Sequence, residues 1–178
     1  PNVIVINTDD QRADTLQYLP KIKQWLVDAG TTFTNAYVTS PTCCPSRSAL
    51  MSGRYVHNNG QYQHLNIGVD LTRMTQRYLQ EGGYFTGHAG KFIHWVPLSQ
   101  VGPNWDRWTY FKGGYDNVWM RFDNQTLQSQ GNSTVITFDR ALEYLNDFEQ
   151  RDDNKPFYMQ LAPVAPHSPS TPELQYAN

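Results

Sequence analysis

The sequence predicts an α/β fold with a mainly parallel sheet flanked by helices. The first observation is the run Val3-Ile4-Val5-Ile6, which is short, continuous and β-branched, as is typical of a strand buried on both faces of a parallel sheet. The second is the alternation of strand-like and helix-like segments along the chain. In open sheets of this class ligands bind beyond the carboxyl ends of the strands, so polar residues there are site candidates.

The other elements follow from the spacing of apolar residues and from the glycines that end them. Further strands are predicted at 84–88 and 157–161, and residues 32–38 could form another extended segment. Residues 97–131 are rich in Gly, Asn, Trp and Tyr without a clean period, which predicts a long loop or a small irregular hairpin. Apolar residues at helical spacing predict helices at 22–29, 45–51, 71–79 and 135–148.

Composition limits the partners of the protein. The chain has 178 residues, which is enough for one domain or for part of a larger one. Its formal charge of −2 argues against a nucleic-acid partner held by a basic surface. No apolar run approaches the roughly 18–20 residues that span a bilayer, so no membrane span is expected. The aromatic content of 13% favours packing in the core, with a glycan-binding cleft as the alternative.

The two cysteines, Cys43 and Cys44, are adjacent, so they cannot link distant segments and no disulfide framework is predicted. Nor does the sequence supply four ligands at the spacings of a structural zinc site. Pro45 suits the first turn of a helix, which places Cys43 at the amino terminus of that helix. Free N–H groups and the helix dipole there predict a lowered thiol pKa or a bound anion; a buried, inert cysteine is the alternative.

Three sets of polar residues follow predicted strands. Asp9 and Asp10 follow the first strand, Lys91 and His94 follow the strand at 84–88, and His167 follows the strand at 157–161. Parallel strands bring such residues to one edge of the sheet. Adjacent carboxylates suit a hard cation such as Ca²⁺ or Mg²⁺. The alternative, for an isolated pair, is that one aspartate caps a turn or helix while the other is solvated.

The string from Cys43 to Arg54, Cys-Cys-Pro-Ser-Arg-Ser-Ala-Leu-Met-Ser-Gly-Arg, resembles the signature of the formylglycine-dependent sulfatases of the alkaline-phosphatase superfamily. That signature is Cys, any residue, Pro, Ser, Arg, three variable residues, Leu, Thr, Gly, Arg. The chain departs from it by Met51 for Leu and Ser52 for Thr. The aspartate pair, Gly90-Lys91 with His94, and Pro166-His167-Ser168-Pro169 match further landmarks in order. The resemblance therefore covers the whole chain and implies the alkaline-phosphatase-like fold.

The resemblance implies a modified nucleophile and a divalent metal ion. A separate formylglycine-generating enzyme would oxidise Cys43 to formylglycine, which reacts as its hydrate. Asp9, Asp10 and the modified Cys43 would bind Ca²⁺, with Mg²⁺ as the alternative. The metal would polarise the sulfate and help to activate the nucleophile.

The resemblance also implies roles for four basic residues. Arg47 would orient the formylglycine, Lys91 would contact sulfate oxygens, His94 would accept a proton from the nucleophile, and His167 would contact the sulfate and assist the leaving oxygen. Two residues separate Lys91 from His94, where many sulfatases have one. His88 is a rival for the role of His94, but it precedes the lysine and is expected within the strand.

A second acidic pair of the family, Asp with Asn or His on a later strand, is missing from the expected place. The candidate pairs precede His167 and lie in loop-like sequence: Asp116-Asn117, Asp123-Asn124 and Asp153-Asn154. The fold and the metal site are therefore expected to be incomplete as given. Residues 1–178 are predicted to be the N-terminal part of a sulfatase catalytic domain that associates with its remaining C-terminal portion and has an uncovered sheet edge.

The expected function is hydrolysis of sulfate esters. A sulfated glycan is the favoured substrate, and a sulfated small molecule is the alternative. Asp10-Gln11-Arg12 and Arg54-Tyr55-Val56-His57-Asn58 look similar to sulfatases that act on glucosamine 6-sulfate and related sugars. A phosphonate or phosphate monoester hydrolase and a catalytically inactive binding relative are the alternatives. The family implies an exported protein, secreted, lysosomal or periplasmic, and the sequons at Asn124 and Asn132 are compatible with export.

Overall fold

The computed structural model describes residues 1–66 and 68–176 and shows a six-stranded sheet with helices on both faces. Numbered along the chain, the strands are β1 Val3–Ile6, β2 Phe85–Lys91, β3 Arg107–Phe111, β4 Trp119–Phe122, β5 Gln125–Gln128 and β6 Phe157–Ala162. Their spatial order is β1-β6-β2-β3-β4-β5. The first four strands in that order are parallel, and β4 and β5 add an antiparallel hairpin. The predicted α/β class with a parallel core is confirmed.

The helical elements lie between these strands along the chain, except for the last one, which follows β6. They are a 3-10 helix Ala13–Tyr18, α1 Pro20–Ile22, a π-helix Lys23–Val27, α2 Cys43–Ser52, α3 Val56–Asn59, a 3-10 helix Leu71–Arg73, α4 Thr75–Glu81, α5 Ser133–Glu149 and a 3-10 helix Leu174–Tyr176. Within the described residues, these helices are all too short or too polar to cross a membrane.

Alternate residues of the central strands form two apolar clusters. Tyr158 packs with Trp108 and with residues of α2 and the α4 region on one face. Phe157 and Met159 pack with Tyr144 of α5 on the other. Successive strand residues point to opposite faces, so β6 contributes to both clusters. Among the described residues, ten aromatic side chains are buried and nine are exposed, so packing in the core accounts for only part of the aromatic content.

The prediction of a loop or irregular hairpin over residues 97–131 is wrong for its middle part. Residues 107–111 form β3, which pairs in parallel with β2, and residues 119–128 contain the regular hairpin β4–β5. Four consecutive residues of β3, from Trp108 to Phe111, are buried. A strand covered on both faces shows no alternation of polar and apolar residues, so the sequence pattern does not reveal it.

The burial predicted for β1 is also wrong. β1 is an edge strand, and Ile4 and Ile6 remain 46% and 43% exposed, whereas Val3 and Val5 pack on the core. The helix predicted at 22–29 is split between α1 and the π-helix, and Trp25 is exposed on it. Residues 32–38 form no strand. Trp25 and the apolar residues Phe33, Tyr37 and Val38 are exposed, and burial is what stabilises most such elements.

Candidate active site

The loops that follow the parallel strands converge at one edge of the sheet. The backbone N–H of Asn7 donates to the carbonyl of Leu161 at 2.8 Å, and that of Asp9 donates to the carbonyl of Ala165 at 3.3 Å. These two hydrogen bonds join the loop after β1 to the end of β6 and the loop after it. The edge on which the sequence placed its polar candidates is therefore continuous in space.

Strand β2 positions Lys91, and helix α2 positions Cys43. Gly90 has φ +122°, and a Cβ there would lie 2.2 Å from the carbonyl oxygen of Ala162. Only glycine allows β2 and β6 to approach this closely, directly before Lys91. Cys43 is the first residue of α2, and Gly53, with φ +63°, ends the helix in the left-handed region, as the sequence predicted.

Asp9 is the centre of a buried ion cluster. It is 3% exposed; its Oδ1 accepts from Arg47 Nη2 at 3.1 Å, and its Oδ2 accepts from Lys91 Nζ. Arg47 also donates to the carbonyl of Lys91 at 3.0 Å, which ties α2 to the end of β2. Burial raises the pKa of Asp9, but Arg47 and Lys91 more than offset this effect, so the pKa lies below its ordinary value. Asp9 is therefore a fixed anion.

Asp10 is exposed and less tightly held. Its backbone has φ +60°, in the left-handed region that aspartate tolerates better than most residues. One carboxylate oxygen lies 3.9 Å from Cys43 Sγ, and the other lies 3.6 Å from His167 Nε2. These are long contacts, so Asp10 has more free coordination capacity than Asp9, each of whose oxygens already accepts from a cation.

The Cys43 thiol lies 3.8 Å from Lys91 Nζ, but its pKa is not lowered. Burial raises the pKa of Cys43, and the nearby carboxylates of Asp9 and Asp10 raise it further, against the opposing effect of Lys91. The expectation of a lowered thiol pKa is therefore wrong, because desolvation and two anions outweigh the lysine and the helix terminus.

His88 and His94 are the two candidates for accepting the proton of the nucleophile, and the fold places them in different environments. His88 lies within β2, is fully buried, and contacts Phe92 and Trp108 in the aromatic core. His94 instead borders the cavity that contains Cys43 and Lys91. Burial, together with the charge of Lys91, lowers the pKa of His94 to about 4. His94 is thus neutral at physiological pH, and its ring borders the cavity.

His167 is held mainly through its backbone. The hydroxyl of Tyr115 donates to the His167 carbonyl at 2.5 Å, and His167 Nδ1 lies 2.7 Å from the Ser168 carbonyl. Because a carbonyl can only accept, His167 Nδ1 donates to Ser168, and Nε2 faces Asp10 as a donor when the ring carries both protons. Sequence reasoning missed Tyr115, because it lies in the segment treated as loop and no motif marks it.

The predicted site residues line two adjoining cavities. The larger, of about 540 Å³, is lined by Asp10, Cys43, Lys91, His94 and His167, with His64 and Leu65 beside them. The smaller, of about 200 Å³, includes Asp9, Asp10, Cys43 and Arg47. All seven residues singled out from the sequence therefore border one connected region.

The donor groups fit part of a hard-cation site. One carboxylate oxygen of Asp9, Cys43 Sγ and a ring nitrogen of His167 lie within 4.8 Å of one another, and Asp10 lies beside them. Carboxylate oxygens are the ligands that Ca²⁺ and Mg²⁺ prefer. The three Asp-Asn pairs line neither cavity; Asp123 pairs with Arg107, for example, and Asp153 pairs with Arg151. The described residues therefore supply two carboxylates of such a site.

The sulfatase family model matches residues 1–178, and the chain therefore belongs to the sulfatase family. The resemblance read from the sequence is confirmed, as is the fold of that family. An extracellular sulfatase SULF-1 homolog of Drosophila melanogaster is 31% identical over 199 residues, which cover 100% of this chain and 17% of that protein. The N-acetylglucosamine-6-sulfatase of Homo sapiens is 29% identical over 203 residues, covering 99% of this chain and 36% of that protein.

A solved structure agrees with these relatives. A protein in complex with its substrate D-glucosamine-2-N,6-O-disulfate superposes with a TM-score of 0.85 at 26% identity, over 97% of this chain and 36% of that one. The chain thus spans between 17% and 36% of the length of these three proteins.

Proposed function

We propose that the protein hydrolyses sulfate esters at the cavity bordered by Cys43, Lys91, His94 and His167. The observation that carries this proposal is the position of Cys43 at the start of α2, with Lys91 Nζ 3.8 Å from its sulfur. A sulfate group placed there would meet a cation and the free N–H groups of a helix terminus, and both favour an anion. Membership of the sulfatase family supports the same reaction.

The proposed nucleophile is formylglycine, made from Cys43 by a separate formylglycine-generating enzyme. An unmodified thiol is a poor nucleophile here, because burial raises its pKa and the thiolate is the reactive form. The hydrated aldehyde supplies two hydroxyls, one to displace the alcohol from sulfur and one whose deprotonation lets sulfate leave.

The surrounding side chains bind charge and move protons. Lys91 contacts sulfate oxygens, and Arg47 holds Asp9 and α2 in register with Lys91. His94, neutral because burial lowers its pKa to about 4, accepts the proton of the nucleophile. His167, which also lines the cavity, donates to the leaving oxygen when its Nε2 carries a proton. Loss of one electrostatic contact of this kind costs on the order of 10²–10³ in rate.

Asp9, Asp10 and the modified Cys43 would hold a Ca²⁺ ion, or a Mg²⁺ ion in its place. When bound, such an ion acts as a Lewis acid on the sulfate and offsets the charge of the two carboxylates. Removal of divalent ions with a chelator is expected to abolish activity, and added Ca²⁺ to restore it.

The remaining ligands belong, in this proposal, to a C-terminal portion of the same catalytic domain. The support is twofold: the chain spans 17% to 36% of the relatives described above, and Ile4 and Ile6 expose apolar surface at the sheet edge. An apolar strand edge of this kind is normally covered. We also propose that the protein is exported, as the name of the Drosophila relative suggests for that protein. Asn124 is an exposed sequon, whereas Asn132 is buried as the N-cap of α5.

The proposed substrate is a sulfated glycan, with 6-sulfated glucosamine as the first choice. The N-acetylglucosamine-6-sulfatase of Homo sapiens and the protein bound to glucosamine disulfate both point to this class. A panel of sulfated mono- and oligosaccharides would identify the preferred ester.

Two measurements on the full-length protein, produced in a host that contains the modifying enzyme, test the proposal. Mass spectrometry of the peptide that carries residue 43 should show the thiol replaced by an aldehyde or its hydrate. Sulfate release should depend on that modification and be absent in Cys43→Ala. Unmodified thiol together with no sulfate release would refute the proposal, and faster turnover of matched phosphonate esters would assign the site to that chemistry instead.

A further inference from the structure

A second group of metal-ligating side chains borders the same cavity. The sulfur of Cys44 and one ring nitrogen each of His64 and His94 all lie within 4.8 Å of one another. Cys44 is fully buried beneath the cavity, whereas His64 and His94 line it. These residues come from helix α2, from the loop after α3 and from the segment after β2. No sequence motif joins them.

Two of the buried ring nitrogens lack a hydrogen-bond partner. His94 Nε2 and His64 Nδ1 are inaccessible to solvent and find no hydrogen-bond partner among residues 1–66 and 68–176. The rings stack with their centroids 5.4 Å apart. A buried polar atom left unpaired costs about 1–3 kcal/mol, so a ligand that satisfied both nitrogens would recover this energy.

The three side chains are held by hydrogen bonds from the surrounding backbone and core. The His94 backbone N–H donates to Cys44 Sγ at 3.2 Å. Gln61, which is fully buried, donates to the Asn66 carbonyl at 2.8 Å and accepts from Trp95 Nε1 at 2.9 Å. Gln61 thus fixes the loop that carries His64 to the segment that carries His94. The cluster is preorganised.

We propose that Cys44, His64 and His94 bind one borderline-soft divalent cation, with Zn²⁺ as its representative. A thiolate and two imidazoles select zinc over Ca²⁺ and Mg²⁺, which prefer oxygen. Zinc bonds of 2.0–2.3 Å place tetrahedral ligand atoms about 3.4–3.8 Å apart, so the three ligand atoms, now within 4.8 Å of one another, need to close by at most about 1.4 Å. Cys44 binds as the thiolate and releases its proton to solvent. His64 and His94 line the cavity, which gives the ion its entry path.

Occupation of this site would inhibit the enzyme. A metal-bound His94 Nε2 has no lone pair left to accept a proton, and a second cation would lie beside the nucleophile. This consequence rests on the proposed function, whereas binding of the cation does not. The two statements can therefore fail separately.

Binding is tested with Co²⁺ as a spectroscopic substitute for Zn²⁺, on the full-length protein in a Cys43→Ala background with excess Ca²⁺. Cys43→Ala removes the neighbouring thiol, so a thiolate-to-cobalt charge-transfer band reports on Cys44. We expect the band to saturate at one equivalent and to disappear in Cys44→Ser. His64→Gln should lower the affinity by on the order of 10-fold or more. His57→Gln, which changes an exposed histidine of the neighbouring helix α3, should bind as the parent does.

The site is refuted by absence of the band, by a band that survives Cys44→Ser, or by His64→Gln binding as tightly as the parent. Cys44 lies in the core, so His64→Gln decides the matter if Cys44→Ser fails to fold. In the formylglycine-bearing enzyme, the Zn²⁺ concentration for half-inhibition should rise by about the same factor in His64→Gln. Cobalt binding by the Cys43→Ala protein, together with no sulfate release by the formylglycine-bearing enzyme, would support the metal site and refute the proposed function.

Discussion

The floor and the rim of the candidate site use the same residue type in opposite ways. Asp9, on the floor with Arg47 and Lys91, is 3% exposed and has both carboxylate oxygens in ion pairs. Asp10, on the rim with His167, has a side chain 50% exposed and only longer contacts. The difference shows that a buried carboxylate needs fixed partners from several segments, whereas an exposed one remains free to meet a ligand. The floor residues therefore stabilise the fold through buried ion pairs, whereas the rim residues are free to bind a ligand.

The largest expected effect comes from Asp9→Asn. This change leaves Arg47 and Lys91 buried without their anion, and removal of one partner from a buried ion cluster costs about 3–5 kcal/mol of unfolding free energy. Asp10→Asn is the matched control and should cost below about 1 kcal/mol, because that carboxylate is exposed. Urea unfolding of the full-length protein in calcium-free buffer measures both. Equal losses for the two variants would contradict the distinction between floor and rim.

Lys91→Met tests whether the floor also takes part in the reaction. The methionine keeps the unbranched shape and most of the length of the side chain but removes the charge that faces Cys43, so kcat/KM should fall by about 10²–10³-fold. Lys112→Met, a change at another lysine that lines neither cavity, is the control and should leave kcat/KM within about twofold. A Lys91→Met enzyme of parental activity would remove the lysine from the proposed mechanism.

His88 shows what burial does to a titrating group that no carboxylate compensates. Burial lowers its pKa to about 3, below the ordinary value of 6.5, so the unfolded chain binds a proton that the folded one does not between these pH values. Stability should therefore fall as pH decreases from 6.5 towards 3, by at most about 1.4 kcal/mol per pH unit for this group. In contrast, Asp9 keeps its charge until below its ordinary pKa of 3.8.

Unfolding of His88→Phe between pH 6.5 and 4 isolates this effect. His94 has a pKa lowered in the same direction, so the slope of stability against pH should be roughly halved rather than abolished. An unchanged slope in His88→Phe would mean that His88 is not the buried neutral group described here.

The smallest effect is expected for Tyr115→Phe, which removes the hydrogen bond to the His167 carbonyl. One such bond contributes about 1 kcal/mol, so the rim should loosen without loss of the fold. We expect kcat to fall by several-fold with little change in the unfolding midpoint. A Tyr115→Phe variant that melts several degrees lower with parental kcat would make Tyr115 a packing residue instead.

Sequence patterns predicted the central elements but not those features that depend on contacts between distant segments. α2, α5, β2 and β6 carry glycine ends, an apolar stripe or a continuous apolar run, and each is observed. β3 was missed because burial on both faces removes periodicity. The burial of β1 was overestimated, because its β-branched sequence matches a central strand while its position is at the edge. Local sequence does not encode strand order.

The sequence by itself determined the chemistry-bearing residues and their attachment to strand ends. The Cys43–Arg54 string, the aspartate pair, Lys91, His94 and His167 were all named from it, and parallel strands must bring such residues to one edge. Only the tertiary structure decided which aspartate is buried, that the Cys43 thiol pKa is raised, and that His94 rather than His88 faces the cavity. It also brought Cys44, His64 and His94 together. These properties depend on burial and on distances between segments far apart in the chain, which spacing along a sequence cannot specify.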